Sequence, residues 1–409
     1  MRIAIIGGGA AGFFAAIAIK EQCPNHSVAI YERAGRCLAK VEVSGGGRCN
    51  CTNSFEEVRD LKSVYPRGHQ LMKRLFKVFD HEDAYQWFED HGVALTTQED
   101  QCVFPVSQDS HSITLCLQNE ARRLGVKVCT HHKLVALRTC PDSTFELDFE
   151  NQPTCLADMV LITAGGQPKP QGLLHMLQQL GQPIVPPVPS LFTLTIPHAE
   201  LTALMGVVVE QAILSIPRTN FKVQAPLLIT HWGMSGPAAL KLSSHAARLL
   251  AEQNYEAEVM VNWVGETNVE IVTHELQAQA GSYAQRQLSS VRPFNLQSRL
   301  WHYLLQRSGL PLEKPWAELG KKGLNKLVNT LTADVYRVSG RYPHREEFVT
   351  CGGVALSEVL ANTLESKVIP NLYFAGEVLD IDAVTGGFNL QAAWTTGYVA
   401  ALGMAKAAL

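Results

Sequence analysis

Residues 1–22, MRIAIIGGGAAGFFAAIAIKEQ, set a short apolar run against three glycines and follow them with a stretch dominated by alanine, isoleucine and phenylalanine. Ile3-Ala4-Ile5-Ile6 predicts a buried strand, and Phe13 to about Gln22 predicts a helix. Between them stands Gly7-x-Gly9-x-x-Gly12. Gly7 permits a tight turn, Gly9 lets a pyrophosphate approach the backbone, and Gly12 lets the helix settle on the strand. The phosphate charge then falls on the helix N-terminus, at Ala10 and Ala11. A second strand, Ser27–Tyr31, ends in Glu32, roughly 20 residues beyond the glycines, where a carboxylate accepts from a ribose hydroxyl. Arg33, next in sequence, joins the candidate contacts. An acid at this place disfavours a 2′-phosphate, which leaves FAD or NAD rather than NADP. A glycine-tolerant helix start with no ligand is the plain alternative, and the combination of strand, spacing, helix and acid argues against it.

The other end of the chain separates FAD from NAD. Asn371 to Ala375 predicts a strand, Gly376-Glu377 its turn, and Gly386-Gly387-Phe388-Asn389-Leu390 the opening of a helix rich in small residues. A second helix N-terminus can stabilise the negative charge that builds at flavin N1 and C2=O on reduction, and Glu377 can hold ribityl or ribose hydroxyls. Residues 44–50, Ser-Gly-Gly-Gly-Arg-Cys-Asn, place Gly45, Gly46 and Gly47 before Arg48. That suits a backbone wrapped around the cofactor, with a guanidinium near phosphate or the flavin edge and Asn50 bonding the ring. Asp158–Ile162 predicts a buried strand that runs into Thr163-Ala164-Gly165-Gly166.

These blocks resemble the BaiN/RdsA family of FAD-dependent oxidoreductases. The resemblance rests on Gly7–Gly12 with Glu32, Ser44–Asn50 followed by Thr52-Asn53, Thr163–Gly166, His231–Pro237, Cys351-Gly-Gly-Val354, and Ala375–Glu377 with Asp380, Asp382 and Thr385–Gln391. It spans the whole chain in order. One departure lies at Gly35-Arg-Cys-Leu-Ala-Lys-Val-Glu-Val-Ser44, where many members read Gly-Arg-Lys-Leu-Leu-Ile-Ser. The resemblance implies an α/β fold with a Rossmann-type FAD domain of the two-dinucleotide-binding-domain class, and cofactor contacts from Ser44, Cys49 and Asp382 as well as from the glycines.

With 409 residues and 46% hydrophobic content the chain exceeds a single core. The predicted order is an FAD domain over 1–188, a β-rich insert over 189–267, a helical insert over 268–342, and the remainder of the FAD domain over 343–409. Pro183, Pro186, Pro187 and Pro189 mark the exit from the first part. Strands are predicted at Leu191–Ile196, Val207–Ile216, Pro226–Thr230 and Ala257–Trp263, with helices at Ala238–Gln253 and from Val269 to Val338. The inserts are expected to roof the flavin and select the substrate. Residues 2–6 are too short for a signal peptide and no later run reaches about 18 apolar residues, so the protein is expected in the cytoplasm. The ten cysteines lack metal-ligand spacing, and no metal site is expected.

Charge is uneven. The chain totals −3, yet between Arg286 and Arg345 eleven Lys/Arg stand against three acids. Lys321, Lys322, Lys326, Arg337 and Arg341, interleaved with Tyr283, Trp301, Tyr303, Trp316, Tyr336 and Tyr342, fit a polyanion held by phosphate contacts and stacking. A solvated helical face over buried aromatics is the competing reading.

No second G-x-G-x-x-G and no C-x-x-C is present, so NAD(P)H, if used, visits transiently. Flavin chemistry then reduces to hydride transfer at N5, with a proton from Cys49, Cys351, His231 or Tyr373, each of which can equally be a core residue. Ser235 and His231 can face the substrate or simply serve strand-to-helix packing. The resemblance implies reduction of an activated C=C: uridine to dihydrouridine in 23S ribosomal RNA, or a small enone of the bile-acid type. A flavin-bearing RNA-binding factor without turnover is a third possibility.

Overall fold

Five parallel strands unite the two ends of the chain. In sheet order they are Leu372–Phe374, Met159–Ile162, Arg2–Ile6, Ser27–Tyr31 and Lys127–Cys129 in the computed structural model, which describes residues 1–167, 172–341 and 349–407. Ile3 to Ile6 lie beside Met159 to Ile162 on one side and Val28 to Tyr31 on the other. Parallel strands are covered on both faces, so the central one is apolar without alternation. Ile3, Ala4, Ile5 and Ile6 are all buried.

The first helix, Ala10–Gln22, is buried from Ala11 to Ile19. Its lack of a polar face follows from enclosure on every side. The terminal helix, Phe388–Ala407, packs along it. Gly397 permits the approach, since a Cβ there would lie 2.8 Å from the Ala11 carbonyl oxygen. Phe14 fills the seam, with its ring centroid 5.5 Å from Trp394 and 5.3 Å from Phe79. The two terminal segments therefore form one core.

The chain divides into two compact units: Met1–Ser190 with Arg345–Leu409, and Leu191–His344. Ile184–Ser190 leaves the first unit paired antiparallel with the returning strand Val349–Val354. The ladder slips between Val185 and Val188, where Pro186 and Pro187 have no N–H to donate.

The second unit holds a five-stranded antiparallel sheet and a four-stranded one. The run Val207–Ile216, predicted as one strand, divides into Val208–Val209 and Ile213–Ser215, one in each sheet. The predicted helix Ala238–Gln253 is observed as Gly236–His245 and Ala247–Glu252, broken at Ala246, whose ψ of 13° is not helical. Asp334–Val338 lies in the stretch predicted to be helical but is a strand against Ala257–Asn262. Its burial has a period of two, with Asp334, Tyr336 and Val338 inward and Val335 and Arg337 outward.

Trp301, Tyr303, Trp316 and Tyr336 are core residues, which corrects their reading as a stacking surface. The Trp301 and Trp316 rings stack at 6.3 Å. The Tyr303 and Tyr336 hydroxyls meet at 2.7 Å, and Tyr336 donates to Asp334, which also accepts from Arg307 and Trp263. Tyr283 remains exposed, beneath Arg286. Tyr342 and Arg345 lie outside the described residues. Among the described residues no helix is long and apolar enough to cross a membrane.

Candidate cofactor site

The glycine turn is built as its spacing predicts. Gly7 has φ +119° and passes so close to Thr163 that a Cβ would lie 2.5 Å from its carbonyl oxygen. A Cβ on Gly12 would collide with the Gly7 carbonyl. Gly9 differs, because a Cβ there would meet nothing within 4 Å. The first helix starts at Gly9 with no side-chain cap and no acid in its first turn. Phe13 N–H is bonded to the Gly9 carbonyl, and the amides of Ala10, Ala11 and Gly12 precede the helical ladder. Such free donors at a helix N-terminus form an anion site.

Glu32 shapes this turn. One carboxylate oxygen accepts from Gly8 N–H and the other from Ala34 N–H, each at 2.8 Å. Arg33 is exposed.

Residues Ser44–Gly47 close the helix Ala39–Gly47 with non-helical backbone, and Gly45 and Gly46 are left-handed. A Cβ on Gly46 or Gly47 would meet nothing, while one on Gly45 would press on Asn50 and Phe104. The open side of this loop is the second cradle. Arg48 is turned inward: it donates to the Gly45 carbonyl at 3.1 Å and to Gln108, and its guanidinium lies 4.3 Å from the Phe104 centroid. These contacts brace the loop from within.

This loop is fastened to the start of the terminal helix. Thr52 donates to Gln391, Asn53 donates to the Gly386 carbonyl at 3.0 Å, and Trp394 donates to the Cys51 carbonyl at 2.9 Å. The Asn50 amide faces the Thr52 carbonyl and Gly387 N–H. Gly387 can have no side chain, because its Cβ position is occupied by the Thr52 carbonyl. Phe388 is buried, with its carbonyl bonded by the Tyr65 hydroxyl, and Asn389 folds back on Ala383. Leu390 is half-buried.

Ala164, Gly165 and Gly166 follow the strand Met159–Ile162. A Cβ on Gly166 would strike Thr350 and Glu377. Glu377 accepts from Thr350 N–H at 2.9 Å and pairs with Lys40 at 2.7 Å. Gly376 abuts Ala11. Asp382 is engaged elsewhere: fully buried, it pairs with Arg67 and accepts from Ser190 at 2.9 Å. Its burial raises its pKa, and Arg67 opposes that rise.

Cys49, Cys351 and Tyr373 have no exposed surface, and His231 is an exposed residue of the second unit, beside Trp232. Ser235 precedes the helix Gly236–His245 without capping it. Sequence reasoning missed Lys40 and Arg67. Lys40 sits in the segment where the chain departs from the resembled family, and Arg67 had no motif to announce it.

Much of the charge in the basic segment is spent within the fold. Arg307 pairs with Asp334, Arg337 with Glu256, and Arg299 donates to the Ala203 and Met205 carbonyls. Arg341 lies 5.1 Å from the Tyr255 ring centroid. Lys321, Lys322 and Lys326 are exposed on the helix Gly320–Thr332.

Open glycine cradles and an uncapped helix N-terminus, with a carboxylate at the end of the second strand, fit a flavin dinucleotide. The fold and site define an FAD-dependent oxidoreductase. The chain belongs to the family described as HI0933-like protein Rossmann domain, which matches residues 1–403. It is similar to the 3-dehydro-bile acid Δ4,6-reductase of Clostridium scindens, with 28% identity and 98% of each chain covered. It is equally similar to the ribosomal RNA dihydrouridine synthase of Escherichia coli, with 29% identity over 97% of this chain and 96% of that one. Among solved structures, 3-ketosteroid Δ4-(5α)-dehydrogenase from Rhodococcus jostii RHA1 has a TM-score of 0.53 at 14% identity, covering 98% of this chain and 96% of that chain. At this identity the likeness speaks for the fold alone.

Proposed function

We propose that the chain reduces the C5=C6 bond of a uridine in large-subunit ribosomal RNA, with NAD(P)H as the source of electrons. The observation that carries this reading is one helix face. In Gly320–Thr332, Lys321, Lys322, Asn325, Lys326 and Asn329 are exposed, while Leu324, Leu327, Val328 and Leu331 are buried. The helix contains no acid. Two of its lysines lie in the first turn, where the helix dipole disfavours cations, so folding gains nothing from them there. A phosphate backbone supplies the missing countercharge.

When bound, the flavin supplies hydride chemistry at N5. The protein must present a base turned out of its stack, and the lysine face provides phosphate contacts that fix the RNA while leaving its sequence unread. The Escherichia coli relative's name supports the same substrate. The Clostridium scindens relative favours a second reading, reduction of a steroid-like enone, which is the same addition across an activated double bond.

Mass spectrometry of ribosomal RNA from a strain lacking the protein tests the choice. The expected result is one uridine lighter by two hydrogens than its wild-type counterpart. Unchanged RNA, with turnover of a bile-acid enone by the purified protein, selects the second reading. Unchanged RNA and no NAD(P)H oxidation with either substrate leaves a binding protein without turnover.

A further inference from the structure

We propose that Lys40 is the cation that receives the cofactor's diphosphate, and that its ion pair with Glu377 is the partner it surrenders on binding. This goes beyond the assignment of FAD and is independent of the RNA reading.

Lys40 is first of all in the right place. It is the second residue of the helix Ala39–Gly47, whose cap, Leu38, donates its N–H to the Gly8 carbonyl at 2.8 Å. Leu38 does so in the left-handed region, at φ +60°, which a bulky residue adopts only under constraint from its surroundings. The strained cap ties this helix directly to the glycine turn. Glu377 follows Gly376, and a Cβ on Gly376 would lie 2.9 Å from the Ala11 Cβ, in the first turn of the first helix. Lys40 Nζ, 2.7 Å from Glu377, thus joins two segments that each reach the glycine turn or the first turn of that helix.

Charge points the same way. Each phosphoryl group of the dinucleotide is anionic, and a helix N-terminus offers only about half an elementary charge. Of the described cations nearby, Arg36 pairs with Glu42 at 3.3 Å, Arg48 rests on Phe104, and Arg33 is exposed beyond the second strand.

The existing pair is also easy to exchange. The Lys40 side chain is 56% exposed and that of Glu377 19%, so the ammonium end of the pair is solvated and can move while Glu377 stays fixed by Thr350 N–H. Bonds from an ammonium to phosphate oxygens are charge-assisted as the bond to Glu377 is, so the diphosphate replaces that bond in kind. Glu377 keeps Thr350 N–H on one oxygen, and transfer of Lys40 to the diphosphate frees the other for a cofactor hydroxyl.

The test is titration of the apoprotein with FAD, ADP and riboflavin, in wild type, Lys40→Met and Lys40→Arg. ADP carries the diphosphate without the flavin, and riboflavin carries the flavin without phosphate. Lys40→Met should weaken FAD and ADP alike, by about tenfold, and flatten their salt dependence. Riboflavin affinity should hold, and Lys40→Arg should restore most of the loss. Unchanged ADP affinity in Lys40→Met overturns the proposal, as does an equal loss for riboflavin, which would make Lys40 a support for the fold. Wild-type titration with FAD tests the cofactor assignment separately.

Discussion

Thr52 donates its hydroxyl to the Gln391 side-chain oxygen at 2.6 Å, a bond between fully enclosed groups 339 residues apart in sequence. Gln391 in turn donates to the Asp80 carbonyl and to Thr395. The bond joins the glycine loop to the terminal helix and so fixes two walls of the cofactor cleft against each other. Thr52→Val keeps the shape and leaves the Gln391 oxygen without its donor, at a cost of about 1–3 kcal/mol. The expected outcome is a lower melting temperature together with faster FAD release. In a double-mutant cycle with Gln391→Leu the two sites should couple by about 1 kcal/mol. Additive losses would mean that the bond does not join the segments energetically.

Glu32 acts before any ligand arrives, because it orders the turn through Gly8 N–H and Ala34 N–H. Glu32→Ala should lose FAD affinity by at least about tenfold, since charge-assisted bonds to the turn disappear. Helix content by circular dichroism should stay at the wild-type value. Absorbance near the flavin band after desalting is the measurement. A fully yellow mutant would remove Glu32 from the site.

How far the sequence carried depends on whether a signal was local. Strand, turn and helix over residues 2–22 are legible because each glycine has a separate steric task within one short window. The terminal helix is legible for the same reason at Gly386 and Gly387. Arg67 with Asp382, and Lys40 with Glu377, are partnerships across 315 and 337 residues, and no local pattern records them. The aromatic residues of the basic segment misled because composition does not say which way a ring points. Trp301 and Trp316 occur among lysines and arginines in sequence, yet they stack in the core while Lys321, Lys322 and Lys326 point out. Asp334–Val338 was not readable by alternation, because charged Asp334 turns inward to Tyr336, Arg307 and Trp263 while apolar Val335 faces out.

The lysine face predicts a salt effect. Reversal of Lys321, Lys322 and Lys326 to Glu should weaken binding to ribosomal RNA fragments and reduce the slope of log K against log salt by about three, one for each phosphate deprived of its lysine. The flavin spectrum should not change. Filter binding across a salt series reads the slope, and an unaltered slope would detach this helix from RNA.

The buried hydroxyl chain in the second unit predicts alkaline weakness. Burial pushes Tyr303 up to about 12 from an ordinary value near 10, and Tyr336, bonded to Tyr303 and to the Asp334 carboxylate, is raised further still. A group whose pKa is higher in the folded state favours folding fully below its unfolded value and loses that contribution as pH rises through the folded one. The stability tied to Tyr303 should therefore be constant up to about pH 10 and decline as the pH approaches 12. Tyr303→Phe removes the ionisable hydroxyl. Without it Tyr336 still donates to Asp334, so the variant should fold, losing about 1 kcal/mol at neutral pH for one buried hydrogen bond. Thermal melting followed across the alkaline range should show a shallower fall for Tyr303→Phe than for wild type. Parallel curves would place the alkaline limit with other groups.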